Sequence, residues 1–154
     1  MFRESRKPEK NLSEAEMKEI LEVAEYGVLA TIGDDGYPYG VPLNFVYDGK
    51  AVYFHGAKEG HKVDNLKFSS KVSFTVVVDT EVLPKEFNTK FRSVILFGQT
   101  LLATDEERRQ VFELMLKKYA PANMENGHKY VAHSGHETDI YKIKIEHASA
   151  KGKK

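Results

Sequence analysis

The sequence predicts a mainly β domain in which six antiparallel strands form a small barrel flanked by two or three helices. Six short segments carry strand-like patterns, and most of them are joined by turns rather than by long connections. Antiparallel strands of this number usually close into a barrel, because closure removes exposed edges. The chain has 154 residues, which suits a single domain, 1–154, with one core.

Capping boxes begin the two longer predicted helices. Ser13 and Thr104 are each followed three residues later by a glutamate. This spacing lets each side chain accept a hydrogen bond from the backbone N–H of the other residue. Apolar residues then recur at intervals of three and four, which predicts helices over 14–25 and 105–119. A shorter helix is expected around 63–68.

The predicted strands are separated by compact turns and short connections. They cover 28–32, 37–47, 50–55, 71–78, 90–100 and 139–146. The turn at 33–36 and the Asp48-Gly49 pair make the first three strands an antiparallel meander. Pro42 lies inside the second strand and has no N–H to donate, so it predicts a sheet edge or a bulge at that point.

Four segments lack the periodicity of a helix or a strand. Residues 79–89 and 122–137 are expected to be loops, since they are rich in turn-forming residues. The first residues, 1–11, and the tail, 148–154, are expected to be flexible arms, because terminal residues are poorly ordered unless something ties them down.

Three histidines, His128, His133 and His136, precede Glu137 and raise the question of a metal site. A His-x-x-His pair can present two ligands on one helical face, but no third ligand stands at a suitable spacing. The pattern favours a polar loop without a metal, because short histidine clusters are often incidental.

The bulk composition argues against several classes of function. The chain has 23 basic and 23 acidic residues, which disfavours a general binder of nucleic acid or of membrane surfaces. It has no cysteine, so disulfides, thiolate metal sites and thiol nucleophiles are excluded. No apolar run approaches the roughly 18 residues of a spanning helix, and no secretory signal is visible. These features predict a cytoplasmic protein.

The stretch YFHGAKEGHKVDNL, residues 53–66, predicts an anion site. It reads as the end of a strand, a glycine-bounded basic loop and the start of a helix. Unpaired N–H groups and the helix dipole attract anions at such a point. Lys62 is the best phosphate ligand, with His61 and Lys58 next. From the residues alone, a solvated connection remains the more frequent explanation, because a glycine-rich loop is weak evidence.

Two motifs resemble those of the Nim-type, or nitroimidazole-resistance, family within the pyridoxamine 5′-phosphate oxidase-like FMN-binding split-barrel superfamily. Gly36-Tyr37-Pro38 is followed by Val41-Pro42-Leu43-Asn44-Phe45, and Tyr53-Phe54-His55-Gly56-Ala57 is followed by Gly60-His61-Lys62. The similarity extends over nearly the whole chain. One departure is visible: members often carry a cysteine in the strand matching 72–78, and this chain has none.

The resemblance implies a six-stranded antiparallel split β-barrel that forms a homodimer with FMN at the subunit interface. The positions that it assigns to the cofactor are Val41, Pro42, Leu43 and Asn44 beside the isoalloxazine ring, His55, Gly56, Ala57, Lys58, His61 and Lys62 at the phosphate and ribityl end, and Arg92 and Ser93 on a neighbouring strand. It also implies a catalytic role for His55 near the flavin. From the residues alone, His55 is equally well explained by a bond to a backbone carbonyl, and Arg92 by a surface charge.

The expected function is that of an FMN-dependent oxidoreductase. It would take electrons from an external donor such as NAD(P)H and pass them to a small electron-poor acceptor such as a nitroaromatic. Two alternatives stay open: a flavin-binding carrier or sensor without turnover, and a barrel that uses heme or a deazaflavin. Fold alone does not decide among them, because function depends on the site.

Overall fold

A computed structural model describes residues 2–153 and shows one seven-stranded antiparallel sheet with four flanking α-helices. The strands are β1 (Gly27–Ile32), β2 (Pro38–Leu43), β3 (Val46–Tyr47), β4 (Ala51–Ala57), β5 (Lys71–Leu83), β6 (Asn88–Leu102) and β7 (Thr138–Lys153). The helices are α1 (Glu14–Val23), α2 (His61–Phe68), α3 (Asp105–Tyr119) and α4 (Met124–Ser134). The strand order is β2-β1-β5-β6-β7-β4-β3. The mainly β class with flanking helices is therefore confirmed.

The predicted second strand is in fact two strands, so the expected count of six was wrong. The chain leaves β2 at Leu43 and enters β3 at Val46, and these two strands lie at opposite edges of the sheet. The predicted meander of the first three strands was therefore also wrong, because within residues 2–153 β2 pairs only with β1. The sheet does not close between β2 and β3.

Phe45 fixes the point where the chain crosses between the two edges. Its ring is fully buried and meets Phe74 edge-on, with ring centroids 4.9 Å apart. Its backbone N–H donates to the Tyr119 hydroxyl at 3.0 Å, and its carbonyl accepts from Lys118 Nζ at 2.8 Å. The C-terminal end of α3 thus supplies the partners that a neighbouring strand would otherwise give to this backbone.

Replacing Tyr119 by phenylalanine is expected to lower the free energy of unfolding by about 1–2 kcal/mol. The change leaves the Phe45 N–H, and the Glu25 carbonyl that the hydroxyl reaches at 2.6 Å, without this partner. Urea unfolding measures the loss. Tyr130→Phe is the control, because Tyr130 is 71% exposed. Equal stabilities for the two variants would contradict the assigned role of the Tyr119 hydroxyl.

Two apolar clusters lie on the two faces of β4. Val52 and Phe54 belong to the larger cluster inside the barrel, whereas Ala51 and Tyr53 pack with residues of α3. Successive strand residues point to opposite faces. His55 therefore belongs to the face that α3 covers, and Gly56 belongs to the barrel face.

The segment predicted as the loop 122–137 contains α4, so that prediction was wrong. The helix packs on α3, and a Cβ at Gly127 would lie 2.5 Å from the end of the Leu116 side chain, so glycine favours this close approach. The Asn, Gly and His residues of this segment have low intrinsic helix propensities, and for that reason the sequence predicted a loop and not a helix. Packing against α3 outweighs that preference.

Other boundaries differ from the prediction at the strand ends. The loop expected at 79–89 is mostly strand, since β5 continues to Leu83 and β6 begins at Asn88, with a register shift between Val78 and Glu81. Strand β7 runs beyond 146 and pairs with β6 as far as Lys153, so 148–153 are not a loose tail.

The N-terminal arm is also tied to the sheet. Asn11 forms a bridge with Lys151, and Phe2 stacks on Phe97. Met1 and Lys154, the outermost residues of the two predicted arms, lie outside the described residues. Among the described residues, no helix is both long and apolar enough to cross a membrane.

Candidate functional site

The start of α2 leaves its backbone N–H groups open. Gly60 is the N-cap, with φ of 139°, a backbone conformation that favours glycine. In the part of the chain that the structure describes, no side chain caps this helix end, and no atom outside Gly60 and its chain neighbours lies within 4 Å of the position a Cβ would take at Gly60. The first-turn N–H groups are therefore available to an anion, and the helix dipole favours one there.

Lys62 lies beside this helix start without a counter-charge. It is half-buried, and burial lowers the pKa of its ammonium group. Its Nζ lies 5.6 Å from the Phe54 ring centroid and would be 2.8 Å from a Cβ at Gly56, so the glycine leaves room for the side chain. Among residues 2–153, no carboxylate forms an ion pair with Lys62. A bound anion would compensate for the partial desolvation of this charge.

Long-range contacts tie α2 to the first two strands. The His61 ring stacks on Tyr39 of β2, with centroids 3.9 Å apart and an angle of 28° between the rings. The buried Asn65 amide donates to Thr31 Oγ1 at 3.0 Å, and Thr31 in turn donates to the Tyr39 carbonyl at 3.4 Å. The anion loop and the predicted ring-binding strand are thereby held together.

Sequence reasoning missed Asn65 and Thr31 as positioning residues. The available signal was a polar residue between Val63 and Leu66 on the buried side of a short helix. A buried amide needs a partner, so its presence there indicated a specific bond. The absence of a side chain at Gly33 leaves room for the Asn65 amide, since a Cβ at Gly33 would lie 2.3 Å from Asn65 Oδ1.

His55 lies on the opposite face of β4 from the Lys62 contact. Together with Asn44 it lines a pocket between the sheet and the α3–α4 pair. Burial, and next the nearby Lys62 ammonium, lower the pKa of His55 from its ordinary value of 6.5. Its imidazole is therefore mainly neutral at pH 7, with one nitrogen as donor and the other as acceptor.

In an NMR titration, His55 is expected to lose its proton below pH 6.5, and Lys62→Gln is expected to raise that midpoint. The substitution removes a positive charge that disfavours the imidazolium. Lys67→Gln on the same helix is the control and should leave the midpoint unchanged. A His55 midpoint that does not respond to Lys62→Gln would contradict the proximity of the two groups.

The four predicted ring-contact residues divide into two pairs. Val41 and Leu43 are half-buried and pack against the barrel core, so they offer mainly backbone groups. Pro42 and Asn44 are exposed. Asn44 lines the same pocket as His55.

Some predicted site residues are not brought to this cluster within one chain. Arg92 Nη2 lies 2.6 Å from Asp79 Oδ2 and 3.5 Å from Glu19 Oε1. The Ser93 hydroxyl donates to the backbone carbonyl of Lys151 in β7. Arg92 pairs with Gly152 of β7, whereas His55 pairs with Ile140. Twelve residues of strand separate these partners, about 40 Å along β7. Their assignment to the cofactor stays a prediction.

The remaining basic residues near the loop have other contacts. Lys58 forms an exposed ion pair with Asp139 at 3.6 Å, and Ala57 is exposed at the end of β4. On α4, His128 pairs with Glu113 of α3 at 2.7 Å. His133 and His136 are exposed, and the described part of the chain places no three potential metal ligands together.

A family model described as pyridoxamine 5′-phosphate oxidase matches residues 13–152, nearly the whole chain. The chain belongs to this family. The predicted superfamily is therefore confirmed, and the open seven-stranded sheet with its flanking helices is this family's split-barrel fold. None of the curated proteins matches the chain.

Several solved structures resemble this chain over most of its length. A putative 5-nitroimidazole antibiotic resistance protein from Bacteroides thetaiotaomicron is 20% identical, with a TM-score of 0.74 over 91% of this chain and 84% of that one. A flavocytochrome from Azotobacter vinelandii is 23% identical, with a TM-score of 0.81 over 98% and 72%. A FAD-binding protein from Mesorhizobium loti is 21% identical, with a TM-score of 0.70 over 94% and 98%. At these identities the likeness concerns the fold.

Proposed function

We propose that this chain binds FMN and acts as a flavin-dependent oxidoreductase toward a small electron-poor acceptor such as a nitroaromatic. The observation that carries the proposal is the half-buried Lys62 without a counter-charge, beside the uncapped start of α2. A phosphate group satisfies both, because it accepts hydrogen bonds and carries negative charge. The bound flavin would supply the redox chemistry, and the chain would bind and orient it.

The cofactor would lie along residues that the fold already holds together. Lys62, His61 and the first-turn N–H groups would hold the phosphate. The Tyr39–His61 stack connects this end to β2. Pro42 of β2 and Asn44, just after it, are exposed and would contact the ring. His55, mainly neutral at pH 7, would donate or accept one hydrogen bond at the acceptor side.

We also propose that two chains form a dimer, with FMN at the interface. Val28, Val77, Ile95 and Phe97 are exposed on neighbouring strands β1, β5 and β6. Adjacent exposed apolar residues of this kind mark association surfaces. A second chain would also explain how Ser93, far from Lys62 in its own chain, could contribute to a cofactor site. Light scattering is expected to give the mass of a dimer, and the mass of a monomer would contradict the proposal.

The enzymatic function is tested by mixing the FMN-loaded protein with NADH or NADPH under anaerobic conditions. The flavin absorbance is expected to bleach and then to return when a nitro compound is added. Free FMN at the same concentration is the control. Flavin that stays oxidised with both donors would contradict turnover and favour a carrier or sensor.

The structural neighbours agree with this proposal in part. One is described as FAD-binding, one as a flavocytochrome and one as a putative nitroimidazole resistance protein. They support a flavin, whereas the choice of FMN rests on the half-buried Lys62 beside the uncapped start of α2.

A further inference from the structure

A pocket of about 220 Å³ lies between β4 and the α3–α4 pair. Asn44 and His55 contribute polar groups to it, and the other walls come largely from apolar and aromatic side chains such as Phe112, Met115 and Val131. It is separate from the phosphate cluster, because His55 and Gly56 face opposite sides of β4.

The lining of this pocket disfavours a charged occupant. None of the residues that line it is Lys, Arg, Asp or Glu, and His55 is mainly neutral at pH 7. An ionised group placed there would lose water without gaining an opposite charge, which costs several kcal/mol. An uncharged ligand with an aromatic face would instead contact Phe112 and Tyr130.

The size of the pocket limits the occupant to a small ring. An apolar cavity of about 150 Å³ holds a benzene molecule, and pockets for drug-sized ligands begin near 300 Å³. A cavity of about 220 Å³ therefore suits one substituted aromatic ring.

Hydrogen bonds from α3 hold the segment after α4, and so stabilise the helical wall of the pocket. Arg108 of α3 donates to the carbonyls of Gly135 and Thr138, both at 3.0 Å, which anchors the chain immediately after α4. Gly127 allows α4 to approach Leu116 of α3 closely. The pocket is thus preformed, which lowers the entropic cost of binding.

We propose that this pocket is the acceptor site, and that it admits a single uncharged aromatic ring whose oxygen-bearing substituent points to Asn44 and His55. This inference rests on the proposed function, since it places the acceptor of that reaction. An asparagine amide has two N–H donors and a neutral imidazole has one, which suits a nitro or carbonyl group.

The test compares 4-nitrobenzyl alcohol with 4-nitrobenzoate, two probes of similar size that differ in charge. Calorimetry on the FMN-loaded protein is expected to show at least about tenfold tighter binding of the alcohol. NMR titration with the alcohol is expected to shift the His55 signals. Equal affinities, or His55 signals that do not move, would overturn the inference without any substitution.

Two tryptophan variants on α4 form the matched pair. Val131→Trp fills the pocket, whereas Ala132→Trp changes the exposed neighbouring position. Val131→Trp is expected to weaken binding of the alcohol by about tenfold or more and to leave FMN affinity unchanged. Ala132→Trp is expected to bind both the alcohol and FMN as the unsubstituted protein does. Unchanged binding of the alcohol to Val131→Trp would overturn the inference. Equal losses of FMN and of the alcohol would also overturn it, because the pocket would then hold the flavin ring.

The proposed function fails separately from this inference. If the alcohol binds in the pocket and the reduced flavin is not reoxidised, the reductase proposal is wrong and the pocket serves another reaction or none. If the flavin is reoxidised by the nitro compound equally well in Val131→Trp and in the unsubstituted protein, the reductase stands and this acceptor site is wrong.

Discussion

Replacing Lys62 by alanine is expected to weaken FMN binding by about ten- to a hundredfold while leaving riboflavin binding nearly unchanged. A hydrogen bond to a charged group contributes about 1.5–3 kcal/mol, and each 1.4 kcal/mol is a factor of ten in affinity. Lys62 is half-buried and forms no ion pair with a carboxylate in the described part of the chain. Riboflavin lacks the phosphate, so its affinity does not depend on an interaction with the Lys62 ammonium group.

Fluorescence titration of both flavins measures this effect, with Lys67→Ala as the matched control. Lys67 lies on the same helix and is exposed, so its removal changes the net charge equally without touching the cluster. An equal loss of FMN affinity in both variants would show a general charge effect. FMN affinity unaffected by Lys62→Ala would make the phosphate assignment wrong.

Replacing Phe45 by alanine is expected to lower the free energy of unfolding by about 3–5 kcal/mol. The ring is fully buried, contacts Phe74 edge-on and lies 3.9 Å from Lys118 Nζ. Burial already lowers the pKa of Lys118 to about 8, and loss of the ring would remove its cation–π partner. The substitution would thus leave a cavity at the point where the chain crosses from β2 to β3.

Guanidinium unfolding of Phe45→Ala and Phe87→Ala separates this effect from the general cost of losing an aromatic ring. Phe87 is 97% exposed at the turn between β5 and β6, so its loss should change the stability by less than about 0.5 kcal/mol. Similar losses in the two variants would mean that the Phe45 ring does not hold the crossing.

Local signals in the sequence predicted local structure well. The Ser13 side chain accepts the Glu16 N–H at 3.1 Å, and the Thr104 capping box forms with both of its hydrogen bonds. The anion loop is of the same kind: Gly60 caps α2 two residues before Lys62, and the Lys62 side chain lies against Gly56, six residues away in the sequence. Such contacts depend on nearby residues, so their spacing carries the information.

Contacts between distant parts of the chain could not be predicted in this way. Tyr119 bonds Phe45 across 74 positions, and Asn65 bonds Thr31 across 34. The residues around Pro42 do not predict that β3 pairs at the opposite edge of the sheet. Proline removes one backbone donor from a strand, but it does not determine which strand the next segment pairs with. The pocket at His55 could not be predicted either, because one of its walls is α4, which the sequence predicted as a loop.

The absorption spectrum of the purified protein, with identification of the flavin released on heating, tests the central claim most directly. We expect a yellow protein with flavin bands that releases FMN, or an apoprotein that binds added FMN at micromolar concentration. A Soret band, a released cofactor without a terminal phosphate, or no binding of added FMN in that range would contradict the assignment of Lys62 and the start of α2 to an FMN phosphate.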